Sequence, residues 1–223
     1  FKAGVPKFEN AGQMKLSLTH AGDTIRAQGT GGSVGAAEAA WAYKSQFLSV
    51  VKADTLLPVA LEYAETDPKE ANTYSAEFGE KSISGKWDTD HKDAGIEDEK
   101  RAREFPYANA YDLIGAFLYI RSQELKDGES YTLLTFPYRD PYLVTIKVAG
   151  REKKDKLGSE VDAIKLTLEA SKVDKKGVLQ PMGDKVKSIS FWISDDEDRL
   201  PLGLSADIGI GAVSANLAEY AKK

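Results

Sequence analysis

The chain has no cysteine, which excludes disulfides, thiolate metal sites and a cysteine nucleophile. That usage suits the reducing cytosol, or an export route that avoids stray oxidation. Histidine is nearly missing too. His20 and His91 are the only two, and neither has a partner four residues on. A zinc centre therefore lacks ligands, and neither a metal nor a cofactor is expected. No apolar run approaches the ~18 residues of a membrane-spanning helix. Positive charge is not in excess either: 30 Lys and Arg face 35 Asp and Glu, for a net charge of −5. Nucleic acid would require a basic face that this balance does not supply. Lysines do gather at Lys153, Lys154 and Lys156, and again at Lys172, Lys175 and Lys176, but acids interleave them. Such runs read as solvated strand ends and turns.

What is present is enough for a sizeable core. With 223 residues, 42% of them hydrophobic, the chain fits one large domain spanning 1–223 better than two small ones. It begins at Phe1 rather than Met, which reads as a mature or trimmed form.

Period-two alternation dominates. Met14, Leu16 and Leu18 alternate with polar residues, as do Val59, Leu61 and Tyr63, then Tyr74, Ala76 and Phe78, then Ile83, Gly85 and Trp87. The pattern returns at Tyr142, Val144, Ile146 and Val148, at Ile164, Leu166 and Leu168, and at Ile189, Phe191 and Ile193. It ends with Leu202, Leu204, Ile208 and Ile210, opposite Gly203, Gly209 and Gly211. Strands with one buried and one wetter face are the antiparallel habit, and a strand of glycines on one face bends easily. Some eight to ten strands are expected.

Two segments break the alternation. The alanine-rich stretch from Gly35 to Phe47 reads as a short helix or a strand. From Asn109 to Leu125 the spacing of Leu113, Ile114, Phe117, Leu118 and Ile120 is that of an amphipathic helix, with Asn109 as N-cap. The run from Asp88 to Glu104 is so charged that it reads as a mobile surface loop with the reach of a flap. The expected fold is therefore mainly β (α+β): a single curved antiparallel sheet, or open β-barrel, wrapped on one amphipathic helix.

Motifs that carry chemistry are weak. Gly31 to Gly35, sequence GGSVG, matches a nucleophile elbow around Ser33, but the elbow needs a parallel α/β sheet and a well-placed histidine. A glycine-rich turn is the simpler reading, and the same stretch lacks the third glycine of a dinucleotide loop. The densest acidic run is Asp195-Asp196-Glu197-Asp198, between two strand-like segments. It lacks the alternating ligands and central glycine of a calcium loop and reads as a hairpin turn. Arg121 edges onto the apolar stripe of the helix, where a guanidinium requires a carboxylate or carbonyl partner; Asp195, Asp196 and Asp207 are candidates.

Three stretches together resemble a known family: YDLIGAFLYIRSQEL, LVTIKVAGREK and SFWISDDEDRLPLGLSADIGIGAVSANL. They carry Tyr111, Asp112 and Arg121, then Trp192, Ile193, Ser194, Asp195 and Asp196, then Arg199, Pro201, Ile210 and Gly211. This order is similar to exported bacterial proteins grouped as a domain of unknown function of the DUF3108 type. The resemblance implies a periplasmic or cell-envelope location and a fold like the periplasmic lipoprotein carriers. It brings no catalytic residues. Arg121, Trp192, Asp195, Asp196 and Arg199 are the candidate ligand-binding residues. The expected function is non-enzymatic binding of a lipid, another apolar or amphipathic molecule, or an envelope protein in a half-barrel groove. The alternatives are a hydrolase of envelope or glycan material using groove carboxylates, and a structural interaction module whose groove the helix fills.

Overall fold

Strand-forming alternation is realised along almost the whole chain. The computed structural model describes residues 2–5, 8–174, 176–181, 188–207 and 212–222. Within them lie β1 (Lys2–Val5), β2 (Phe8–Ala21), β3 (Thr24–Ser33), α1 (Gly35–Ala40), β4 (Lys44–Lys52) and β5 (Pro58–Thr66). Next come β6 (Glu70–Phe78), β7 (Ile83–His91), β8 (Glu99–Phe105), α2 (Leu113–Ser122), β9 (Ser130–Thr135) and β10 (Tyr142–Lys156). The chain continues through β11 (Ser159–Val173), β12 (Leu179–Pro181), β13 (Ser188–Ser194), β14 (Pro201–Asp207) and β15 (Ala212–Asn216).

All pairings between these strands are antiparallel, in one continuous path of order β8-β7-β6-β5-β4-β3-β2-β1-β15-β14-β13-β11-β10-β9, with β12 beside β11. The sheet curls until its two edge strands come together. Among the described residues β8 and β9 share no ladder, and the seam is closed by side chains and by one parallel bridge past β8. There the Tyr111 amide donates to the Leu134 carbonyl at 2.8 Å, and the Phe136 amide to the Tyr111 carbonyl at 2.6 Å. Phe105 at the end of β8 packs edge-on to Phe136 just after β9, centroids 4.7 Å apart. Arg103 of β8 lies 3.8 Å from Asp140. The result is an open, barrel-like antiparallel sheet with one helix on its inner face, as the alternation predicts.

Two cores fill the inside. The first packs Ala116 and Ile120 of α2, with Leu125, onto Leu133, Ile146, Val148, Ile164, Leu166 and Ile193. Burying each such aliphatic side chain contributes roughly 1.5–3 kcal/mol. The second gathers Leu61, Tyr74, Ala76, Ile83, Phe105, Ala110 and Phe136 beneath the seam.

Several expectations are corrected. The helix runs Leu113–Ser122 rather than 109–125, and its N-cap is Asp112, whose Oδ1 accepts from the Gly115 amide at 2.6 Å. Asn109 instead has φ 56°, outside any helix. The charged run 88–104 is mostly strand: β7 continues to His91 and β8 begins at Glu99, leaving only residues 92–98 between them. Opposite charges face each other there, Asp88 against Lys100, and charge is what keeps an edge strand from pairing with other chains. The alanine-rich segment is both readings at once, helix to Ala40 and strand from Lys44. Bulges divert two residues from their expected faces: Val59 lies where β5 slips against β4, and Leu202 where β14 slips against β13. Lys175, Ile208, Gly209, Ile210 and Gly211 lie outside the described residues.

Candidate functional site

The acidic run forms the turn between β13 and β14, and the side chains of Asp195, Asp196 and Asp198 are each engaged. The Oγ of Ser194, which is fully buried, donates to Asp196 Oδ1 at 2.6 Å and accepts from the Leu200 amide at 2.8 Å. The Arg199 amide donates to the same carboxylate at 3.0 Å, and Arg199 takes φ 43° to close the turn. Short side chains bonding the nearby backbone are what favour a turn over a ladder. Cations then meet the acids from outside: Arg151 reaches Asp195 at 2.9 Å, Lys156 reaches Asp196 at 3.1 Å, and Lys222 reaches Asp198 at 3.0 Å. Burial works against the charge on Asp196, but Ser194, Lys156 and the Arg199 amide outweigh it and hold its carboxyl below the usual range.

Two arginines fasten this turn to the helix reciprocally. Arg121 at the end of α2 donates to the Asp198 carbonyl at 2.7 Å. Arg199 in the turn donates to the Gln123 carbonyl at 2.6 Å, just past the helix end. Of the two partners expected for Arg121, a carboxylate or a carbonyl, it takes the carbonyl, and not that of Asp195, Asp196 or Asp207, with its guanidinium 5.5 Å above the Phe117 ring. Burial lowers its pKa, and the Asp198 charge opposes that. Carbonyls at a helix end lack partners within the helix, so an arginine there satisfies them and complements the helix dipole.

Arg121, Asp195, Asp196 and Arg199 thus meet in one junction, and Trp192 does not join them. Trp192 pairs with Lys165 across the ladder, on the face away from the helix. There its indole N–H donates to Glu152 at 2.8 Å and Lys154 lies 3.8 Å above the ring. Sequence reasoning missed Arg151, which joins the junction by donating to the Leu125 carbonyl at 3.1 Å. The available signal was Gly150. Its φ of 130° marks a bulge in β10, and the bulge turns Arg151 to the face of Ile164.

The other motifs resolve as structure. Ser33 ends β3, donates to the Trp41 carbonyl at 2.9 Å and accepts from the Tyr43 amide at 2.9 Å, so it staples the loop holding α1. His20 lies on β2, and His91 on β7 stands 3.8 Å from Glu70.

The inner face offers open surface where the helix stops covering it. Asp112 accepts from Ser49 of β4, and Ser49, Ala27 and Leu18 form one row across β4, β3 and β2. Ser49 and Ala27 are fully buried, whereas Leu18 is 41% exposed. On the far side, Phe117 packs on Phe191 of β13 at 5.7 Å, and Leu204, paired with Phe191, is 39% exposed. The helix is therefore a chord from β4 to β13. Beyond its two ends Met14, Leu18 and Leu204 remain exposed on the inner face, and Leu113 is exposed at the helix start.

A different row crosses six strands nearby: Leu16, Gly29, Phe47, Tyr63, Tyr74 and Trp87. A trough of about 910 Å³ follows this row, and its other lining residues are mostly polar neighbours such as Ser17, Gln28, Glu62 and Ser75. Those neighbours project from the face opposite the aromatic rings, because side chains alternate along a strand. Within the row Tyr63 donates to Glu65 at 2.9 Å and lies 2.8 Å from the Tyr43 hydroxyl. Burial first, then these neighbours, push the Tyr63 hydroxyl up, so it stays protonated.

Comparison with known proteins adds the following. A family model described as a protein of unknown function, DUF3108, matches residues 2–218. No curated protein matches the chain. Among solved structures, the crystal structure of a β-barrel-like protein of the domain of unknown function DUF1849, from Brucella abortus, aligns with a TM-score of 0.58 at 11% identity. The alignment covers 91% of this chain and 84% of that one, and it shows the fold.

Proposed function

Since the chain belongs to the DUF3108 family of proteins of unknown function, we propose its role from its own geometry: a non-enzymatic protein that holds an apolar or amphipathic ligand on the uncovered inner face. One observation carries this reading. Along the row Ser49, Ala27, Leu18 burial stops between the last two, leaving Leu18 41% exposed beside a fully buried neighbour. Leu204 marks the matching limit beyond Phe191. Apolar side chains left in water on a concave face are what an apolar ligand covers favourably. A filled groove would bury them, which weighs against a purely structural module. The hydrolase alternative draws no support from the acidic turn, whose Asp195, Asp196 and Asp198 are each paired with a cation.

An environment-sensitive apolar dye tests the proposal, with a long-chain fatty acid as competitor. Saturable dye binding, displaced by the fatty acid and weakened at least about tenfold in Leu18→Glu/Leu204→Glu, is expected. Binding that is absent, or indifferent to both substitutions, overturns it. The reading includes a cell-envelope address and a single folding unit over 1–223. Recovery of the natural gene product in the cytosolic fraction argues against the first, and two separate unfolding transitions against the second.

A further inference from the structure

A second pocket lies at the seam, independent of the apolar face. It has a volume of about 910 Å³ and is lined in part by Trp87, Lys100, Arg101, Arg103, Glu104, Arg139 and Asp140. Arg101 and Arg103 stand two apart on β8 and so share a face; their ladder partners are Trp87 and Gly85. Arg139 enters from the loop between β9 and β10, stacked 4.8 Å over Tyr138 and donating to Asn72 at 2.8 Å. Three guanidiniums thus gather in a chain whose net charge is −5.

The acids present do not balance them. On the face of Arg101 and Arg103 the lining sets three guanidiniums, with Arg139, against the one carboxylate of Asp140, while Lys100 and Glu104 alternate to the other face of β8. Asp140 is held by Lys172 at 2.5 Å and lies farther, 3.8 Å, from Arg103, while Glu104 accepts from Ser82 at 2.7 Å. Arg101 pairs with Glu99, but both side chains are about half exposed, and such surface pairs hold weakly. Arg139 also keeps a buried Nε with no hydrogen-bond partner. Like charges brought this close repel, and an anion bound between them relieves the repulsion.

We propose that this seam pocket binds a phosphate monoester, whose two negative charges match the excess of two cations in the lining. Guanidiniums suit it because each presents paired N–H donors to phosphate oxygens. Trp87 supplies a flat apolar wall for the group that bears the phosphate. A soluble phosphate and a phosphatidic acid headgroup present the same chemistry, so both are probed.

Calorimetry of the whole protein at low salt uses inorganic phosphate. Co-sedimentation uses phosphatidylcholine vesicles with and without phosphatidic acid. The expected result is binding to one of these probes that weakens at least about tenfold in Arg101→Gln/Arg103→Gln and with rising salt. Binding of inorganic phosphate identifies a soluble source; binding only to vesicles containing phosphatidic acid identifies a lipid. Arg101→Gln alone, at an exposed position, provides the same readout if the double variant melts early. No binding to either probe, or binding that survives the substitutions in a folded protein, overturns the proposal.

Discussion

The hydroxyl of Ser49 donates to the carboxylate of Asp112, joining two residues 63 positions apart inside the protein. This bond fixes where the helix begins, because the same carboxylate caps it through the Gly115 amide. Asp112→Ala leaves both buried donors unpaired and is expected to destabilise by about 2–4 kcal/mol in urea melts. Asp112→Asn keeps an acceptor for Gly115 and offers a donor to Ser49, so a loss under about 1 kcal/mol is expected. Burial raises the Asp112 pKa above its ordinary 3.8, although Ser49 and the Gly115 and Ile114 amides pull it down. An acid whose folded pKa is raised contributes stability below its ordinary value and loses it as pH rises through the folded value. Asp112→Asn should flatten that part of the pH profile, and an unchanged profile would count against this assignment.

Core residues of the helix should differ sharply. Ile120 is 2% exposed, while Phe117 is only partly buried, between Phe191 and Arg121. Ile120→Ala is expected to cost about 3–4 kcal/mol. Phe117→Ala should cost less, about 1.5–3 kcal/mol, because one side of its ring has no core to leave behind. Equal losses in paired denaturant melts would mean that the helix is covered on both sides, and the open inner face would be in doubt.

Much of this fold is legible where one face is apolar and the other polar. Tyr74, Ala76 and Phe78 of β6 and Ile164, Leu166 and Leu168 of β11 follow that rule and pack inward as the alternation predicts. β8 breaks it: as an edge strand it carries Lys100, Arg101 and Arg103 and looks like a loop in sequence. The helix start was misread for a different reason. Asn109 and Asp112 are equally good caps locally, and only Ser49, distant in sequence, chooses between them. The junction was half legible. Arg121 stands out as a charge on an apolar stripe and Arg199 as the cation closing an acidic run, but their acceptors are backbone carbonyls, which a sequence does not display. The cationic seam needed two chain segments to meet at a sheet edge that no local pattern announces.

The acidic turn should behave as a structural element. Calcium titration is expected to give no saturable heat in the micromolar range and no change in melting temperature, since Arg151, Lys156 and Lys222 already pair with Asp195, Asp196 and Asp198. Asp196→Ala frees the buried Ser194 hydroxyl and should cost about 1 kcal/mol, little of it from the screened Lys156 pair. The lowered pKa of Asp196 means that its contribution is present above the ordinary 3.8 and lost as pH falls through the folded value. Acid melts of Asp196→Asn should therefore lose part of the wild-type slope in that window. Micromolar calcium binding that disappears in Asp195→Asn/Asp196→Asn would sink the structural reading.

Gly29 and Phe47 supply the sharpest test of the inner row. They are direct ladder partners, and a Cβ added at Gly29 would lie 2.2 Å from Phe47 Cε1. The ring therefore lies flat across the glycine, in space that any larger residue would fill. Gly29→Ala should push the ring off its position and cost about 1–3 kcal/mol, the usual penalty of overpacking. Phe47→Leu removes the clashing edge at a modest cost of its own. If the clash is the cause, Gly29→Ala should be nearly harmless in the Phe47→Leu background, giving a coupling of about 1 kcal/mol or more in a double-mutant cycle. Additive losses, within about 0.5 kcal/mol, would show that the glycine is needed for its backbone and not for the ring above it.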